Sequence, residues 1–291
     1  MSEPDFLANS RVAIIGLGLM GGSLALALRG RCLSLLGVDQ DSATLEMAGQ
    51  EDLFDRLSRE PADILPKADV VILATSINTI LELIRQLPEL HPGSPILLDL
   101  GSTKVKVVQA LEDLPSRFDP IGGHPMCGKE VSGFENADAN LYQGAVFAFT
   151  PLQRTTKKAY RFVDQLTAVI GSHALWIDPQ AHDRWCAATS HLPYLVATAL
   201  ASSIPMESKP LVGPGFRSTT RIARTPASIM SDVLQTNREN ILDQLEDFMA
   251  KLGYYQELLA AGEKSALEVA LNEGANNQHS LSTGSVHREA P

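Results

Sequence analysis

The segment IGGHPMCG, residues 121–128, sets a histidine, His124, among glycines and a proline. Glycines let a ligand come close to the backbone. An imidazole held there can exchange a proton near neutral pH. About a hundred residues earlier stands VAIIGLGLMGGS, residues 12–23. A glycine turn between an apolar strand and a helix is the context that makes GxGxxG a dinucleotide-binding signal. A hydride acceptor beside a proton acceptor is the minimum set for oxidising an alcohol.

Each residue of the turn has a task. Gly16 permits the tight bend, Gly18 admits the pyrophosphate and Gly21 allows close helix–strand contact. The helix N-terminus offers N–H groups and a positive dipole end to the phosphates. Asp39 ends the second strand, 18 residues beyond Gly21. A carboxylate there accepts hydrogen bonds from ribose hydroxyls and repels a 2′-phosphate, which favours NAD over NADP. Asp39 could instead only cap the next helix, a task for which Asp41 competes. Leu19, Met20 and Thr75 complete the expected cofactor contacts.

Other residues suit a substrate. Ser102 follows the strand PILLDL at the carboxyl end of a parallel strand, the edge at which such sheets bind ligands. Its hydroxyl could serve both a substrate hydroxyl and the His124 ring. It could equally cap a helix starting near Thr103. His191 stands two residues before Pro193. Arg217 and Arg221 lie one helical turn apart and would share a face if the segment is helical. Arginine suits a carboxylate because its fork binds two oxygens at once. His182, in QAHDRW, reads as a helix-start residue. The three cysteines, Cys32, Cys127 and Cys186, are far apart and form no ligand-spaced pair, so no metal is expected.

Composition narrows the classes further. Of 291 residues, 44% are hydrophobic and 20% charged, as in soluble globular proteins. A formal charge of −10 with no Lys/Arg cluster argues against nucleic acid. No apolar run is long enough to span a bilayer, and MSEPDFLANS lacks the pattern of a signal peptide. Dispersed cysteines fit a reducing, cytoplasmic setting.

These residues need a scaffold. Strands are expected at 11–15, 33–38, 69–74 and 95–98, and another from 118. Helical patterns lie between them. That alternation predicts a doubly wound, mostly parallel α/β sheet of the Rossmann type. Two later strands, 145–150 and 174–177, would extend its edge. From Pro179 only helical signals remain: 183–203, bent at Pro193, then 229–259 and a short helix over 264–272. The expected division is a dinucleotide-binding domain over 1–178 and an all-helical domain over 179–273. The polar, Gly/Ser-rich tail, 274–291, is expected to be disordered. The apolar stripe of the 229–259 helix is wide enough to meet a second copy, so a homodimer is expected.

Five segments together resemble the prephenate/arogenate dehydrogenase family. They are GLGLMGGS (16–23), DLGSTK (99–104), GGHPMCG (122–128), SHLPY (190–194) and GFRSTTRIA (215–223). Their order matches, and the likeness runs from about Arg11 to Leu271. The resemblance implies a Rossmann-type domain, a helical dimerisation domain and oxidative decarboxylation of a cyclohexadienol. It implies that His124 engages the ring hydroxyl, with Ser102 orienting it. It also implies that His191 lies in the substrate pocket and that Arg221 grips a carboxylate, with Arg217 a nearby basic position. Cys127 stands where the family often has alanine. The glycine turn also resembles β-hydroxyacid dehydrogenases, but their Gly-rich segment with a catalytic lysine has no counterpart here. A protein that binds NAD without turnover would lack His124, Ser102 or Arg221, and all three are present.

Overall fold

The computed structural model describes residues 5–283. Short apolar runs that alternate with amphipathic helices build its first part. In chain order these are β1 (Arg11–Ile15), α1 (Leu19–Ala27), β2 (Ser34–Val38), α2 (Ser42–Gln50), β3 (Arg56–Ser58), α3 (Pro61–Ile64) and β4 (Val70–Leu73). There follow α4 (Ile77–Leu90), β5 (Ile96–Asp99), α5 (Val105–Glu112), β6 (Asp119–Pro125), β7 (Val146–Pro151), α6 (Lys157–Ile170) and β8 (His173–Trp176). The eight strands form one sheet in the order β3-β2-β1-β4-β5-β6-β7-β8. All neighbours run parallel except β6 and β7. The strands expected near 145 and 174 do extend the sheet edge; the short β3 was not expected.

Both faces of the sheet are covered. Val12 and Ile14 join one apolar cluster with Phe147, Phe149 and Phe162, whereas Ala13 and Ile15 join another with Ile80, Ile84 and Val107. Alternate residues of one strand feed opposite layers, so its sequence reads as continuously apolar. Strand order reverses at β1, since β2 and β3 are added on one side of it and β4 onward on the other. The crevice at that switch point is where open sheets of this kind bind ligands.

The second part is helical: α7 (Pro179–Cys186), α8 (Leu192–Ser203), α9 (Pro214–Thr219), α10 (Ala227–Thr236), α11 (Arg238–Ala261) and α12 (Lys264–Thr283). The expected helix over 183–203 is interrupted by a π turn, Ala187–His191, rather than simply bent. Pro193 follows it and cannot donate to the ladder, and its ring would crowd a regular preceding turn. The long helix expected over 229–259 is two helices, broken at Asn237. The Asn237 side chain turns inward, and Nδ2 donates to the Asp183 carbonyl at 2.7 Å.

Two further expectations are corrected. Arg217 and Arg221 share no helix face, because α9 ends at Thr219. The hydroxyls of Thr219 and Thr220 bond back to the carbonyls of Gly215 and Phe216, closing the helix there. Nor is the polar tail disordered from 274, since α12 continues through Thr283. Extending a formed helix adds one hydrogen bond per residue, and Ala275, Gln278 and Leu281 are good helix formers. The remainder of that tail, 284–291, lies outside the described residues. No helix among the described residues is long and apolar enough to cross a membrane.

Candidate active site

The glycine turn is built as its spacing requires. Gly16 has φ of +91°, and a Cβ there would lie 2.7 Å from the Ala74 carbonyl oxygen. A Cβ on Gly21 would fall 1.8 Å from the Gly16 oxygen, so α1 packs against the turn only because both are glycine. A Cβ on Gly18, by contrast, would meet no atom within 4 Å. That residue faces open space at the N-terminus of α1, where no side chain caps the free N–H groups. Unclaimed donors beside an open backbone suit a pyrophosphate. Asp39 accepts from the Leu17 N–H at 2.7 Å and the Asp41 N–H at 2.9 Å. Asp41, not Asp39, caps α2. Asp39 is thereby pinned at the cleft with lone pairs to spare.

A cleft of about 400 Å³ runs along this edge. Gly16, Gly18, Leu19, Met20, Asp39 and Thr75 line it, with Ser102 further along. A second cavity, of about 380 Å³, is lined by His124, Glu130, Ser190, Tyr194 and Ile222, among others. The two share Gly128, Lys129 and Thr225 in their walls. A dinucleotide in the first and a small molecule in the second would therefore approach each other at that shared wall, and His124 lines the second.

His124 ends β6, where the buried Asp99–Lys104 pair anchors the strand. Lys104 Nζ donates to Asp99 Oδ2 and, at 2.7 Å, to the Gly123 carbonyl. The Gly123 N–H donates to Asp99 Oδ1 at 3.1 Å. Both charged side chains are fully buried. The residue next to His124 is thus clamped on both of its backbone polar groups.

The ring of His124 is oriented from the helical part of the chain. His124 Nδ1 lies 2.9 Å from His182 Nε2, and His182 Nδ1 lies 2.8 Å from Asp183 Oδ1. A carboxylate accepts, so His182 donates through Nδ1. With one proton on that ring, its Nε2 can only accept, so His124 donates through Nδ1. His124 Nε2 is left bare for the cavity, which is the form of a base. Asp183 is itself held by the backbone N–H groups of Lys104 at 2.7 Å and Val105 at 2.9 Å. These donors open α5, which has no cap of its own. Cys186 Sγ approaches the two rings, at 3.5 Å from His182 Nε2 and 3.8 Å from His124 Nδ1, outside this chain of bonds. Desolvation, then the neighbouring His182, Lys104 and His191, hold the pKa of His124 well below the ordinary histidine value.

His191 is buried behind the cavity wall. Asn237 Nδ2 approaches its Nδ1 at 3.1 Å, and Asn240 donates to Asn237 Oδ1 at 2.7 Å. This fixes the Asn237 amide, makes His191 Nδ1 an acceptor and leaves the ring proton on Nε2. Burial lowers its pKa to about 4. Arg221 pairs with Glu130 of the cavity wall, and Arg217 approaches the Val212 carbonyl at 3.4 Å. Ser102 lies in the cofactor cleft and caps no helix, and the partner of the His124 ring is His182 in its place. Sequence reasoning passed over His182, Asp183 and Lys104. The adjacent His-Asp pair was the available signal, but its value depends on α7 packing against β6.

Comparison with known proteins places this geometry. The family model for the prephenate dehydrogenase nucleotide-binding domain matches residues 24–175, and that for the dimerization domain matches 178–273. The chain belongs to the prephenate dehydrogenase family. Prephenate dehydrogenase of Bacillus subtilis is 31% identical over 253 residues, covering 83% of this chain and 68% of that protein. Cyclohexadienyl dehydrogenase of Zymomonas mobilis is 26% identical, covering 94% and 96%. A crystal structure of Aquifex aeolicus prephenate dehydrogenase with hydroxyphenyl propionate and NAD+ superposes with a TM-score of 0.85 at 30% identity, covering 95% of this chain and 99% of that one.

The Lys104–Asp99 clamp gives a testable consequence. Lys104→Met should strand a buried carboxylate and cost about 3–5 kcal/mol in urea unfolding. Adding Asp99→Asn, which removes the charge but keeps an acceptor for the Gly123 N–H, should recover part of that loss. A single variant as stable as wild type would show that the pair does not hold β6.

Proposed function

We propose that this chain carries out NAD-dependent oxidative decarboxylation of prephenate to 4-hydroxyphenylpyruvate, a step of tyrosine biosynthesis. One observation carries the reading. His124, with Nε2 free, lines a cavity that shares the wall residues Gly128, Lys129 and Thr225 with the cofactor cleft. Bound NAD would supply the hydride acceptor, and Gly16, Gly18, Leu19, Met20, Gly21, Asp39 and Thr75 would hold it. The carboxylate of Asp39 supports NAD over NADP. Arg59 lines an adjoining pocket that shares Gly16, Asp39 and Thr75 with the cleft, and is the residue that could accept an added phosphate.

The substrate ring bears a hydroxyl and a carboxylate on opposite carbons. His124 Nε2 accepts the hydroxyl proton as that carbon is oxidised. The carbonyl formed then draws the carboxylate's bonding electrons into the ring as carbon dioxide leaves, and the ring becomes aromatic. Ser102, on the cofactor side, would bond the same hydroxyl. His191, neutral and protonated on Nε2, has a donor to offer from behind the wall. Arg221 is the expected anchor for a substrate carboxylate, which would compete with Glu130 for it. Arg217, turned toward Val212, has the weaker case. Arogenate, with an amino group in place of the keto group, is the alternative substrate, since relatives include a cyclohexadienyl dehydrogenase and an arogenate dehydrogenase from Synechocystis.

A homodimer is part of the reading. Met249, Leu252 and Leu259 of α11 and Val269 of α12 are exposed, an apolar surface suited to a second copy. Three free cysteines suit a cytoplasmic setting.

NADH absorbance with prephenate or arogenate, each with NAD or NADP, tests the assignment; the highest kcat/KM is expected for prephenate with NAD. His124→Asn should lower kcat by about 10²–10⁴ while NAD affinity is unchanged. Retention of most of kcat would remove His124 as the base. Arg221→Ala should raise KM about 10–100-fold, the worth of a charge-assisted hydrogen bond, with a smaller effect on kcat. An unchanged KM would take Arg221 out of substrate binding.

A further inference from the structure

His124, His182 and Cys186 bring three metal-ligating atoms together, all within 4.8 Å of one another. His182 and Cys186 are four residues apart on α7, so they project from one helix face. The separations are 2.9 Å between the two nitrogens and 3.5 and 3.8 Å from the sulfur to each. A tetrahedral zinc ion with normal bond lengths needs about 3.3 Å between two nitrogens and about 3.6 Å from nitrogen to sulfur. Only the nitrogen pair must open, by a few tenths of an ångström. We propose that this triad is a zinc-binding site which, when filled, switches off the base at His124.

The surroundings favour this use. His182 Nδ1 is already held by Asp183, the carboxylate–histidine arrangement that orients metal-bound imidazoles. His124 lines the second cavity together with Glu130, and His182 and Cys186 are buried behind its ring. The nearby Lys104 ammonium is paired with Asp99, which offsets its repulsion of a cation. A water that enters with the ion would take the fourth position. Binding would displace the Cys186 thiol proton to solvent, as coordination by a thiolate requires.

Inhibition follows from proton accounting. Zinc bound to His124 takes the Nδ1 lone pair. The proton that Nδ1 gave to the His182 bond must leave it, and the singly protonated ring then carries its proton on Nε2. The nitrogen that should accept the substrate's proton becomes a donor. The cofactor cleft is untouched, so NAD binding should persist while turnover stops. The inhibitory half of the proposal rests on His124 being the base; the binding half does not.

Cobalt(II) is the probe for the site. Metal-free full-length protein titrated with Co2+ should develop a near-ultraviolet thiolate charge-transfer band and intense visible absorption, saturating at one ion per chain. Cys186→Ala should lose the thiolate band. In the NADH assay with prephenate, equimolar Zn2+ should abolish turnover and a chelator should restore it. Cys186→Ala should remain active and require at least about tenfold more zinc, the scale of losing support from a metal site. Absence of the thiolate band, its persistence in Cys186→Ala, or equal zinc sensitivity of the two proteins would overturn the proposal. The cobalt spectrum needs no substrate, so a thiolate band without prephenate turnover would count against the proposed reaction and leave the metal site standing.

Discussion

The Asp183 carboxylate is the interaction on which the rest of the site depends. It takes the first free N–H groups of α5, the helix that follows the carboxyl edge of β5. It also orients His182, and through it His124. One side chain from the helical part of the chain therefore caps α5 and orients the His182 and His124 rings together. A carboxylate at a helix N-terminus is favoured by the dipole, and here that preference ties the two parts of the chain to each other.

Buried polar chains of this kind must be satisfied throughout, because each unpaired member in a low-dielectric interior is costly. The neighbourhood meets that demand. Asn237 closes the network from the break between α10 and α11, donating to the Asp183 carbonyl and facing His191. Lys104 and Asp99 take up both backbone polar groups of Gly123. The break in the long helix and the π turn before Pro193 are thus where the helical part gives up regular hydrogen bonding to build the site.

Much of this was legible in residues. The Gly16–Gly21 turn declares itself because no side chain fits at Gly16 or Gly21. The strands declare themselves because both sheet faces are buried, which forces continuous apolar runs. His124 stands out because its glycines are needed for close packing against β5 and β7. The rest depends on tertiary placement. Lys104 looks like an ordinary loop lysine until Asp99 is found beneath it. His182 lies 58 residues from His124 and gains its role only when α7 packs on β6. Ser102 was expected to steady the histidine, but its loop faces the cofactor cleft. Arg217 and Arg221 have helical spacing, yet two threonines end the helix between them.

The central claim is that burial keeps His124 neutral while Asp183, through His182, fixes its proton on Nδ1. Nitrogen-15 NMR of histidine-labelled protein reads that directly. At neutral pH the expected spectrum shows His124 with Nδ1 protonated and Nε2 bare, and this state should be lost in Asp183→Asn. A His124 ring that is doubly protonated at neutral pH, or protonated on Nε2 alone in the metal-free protein, would contradict the account.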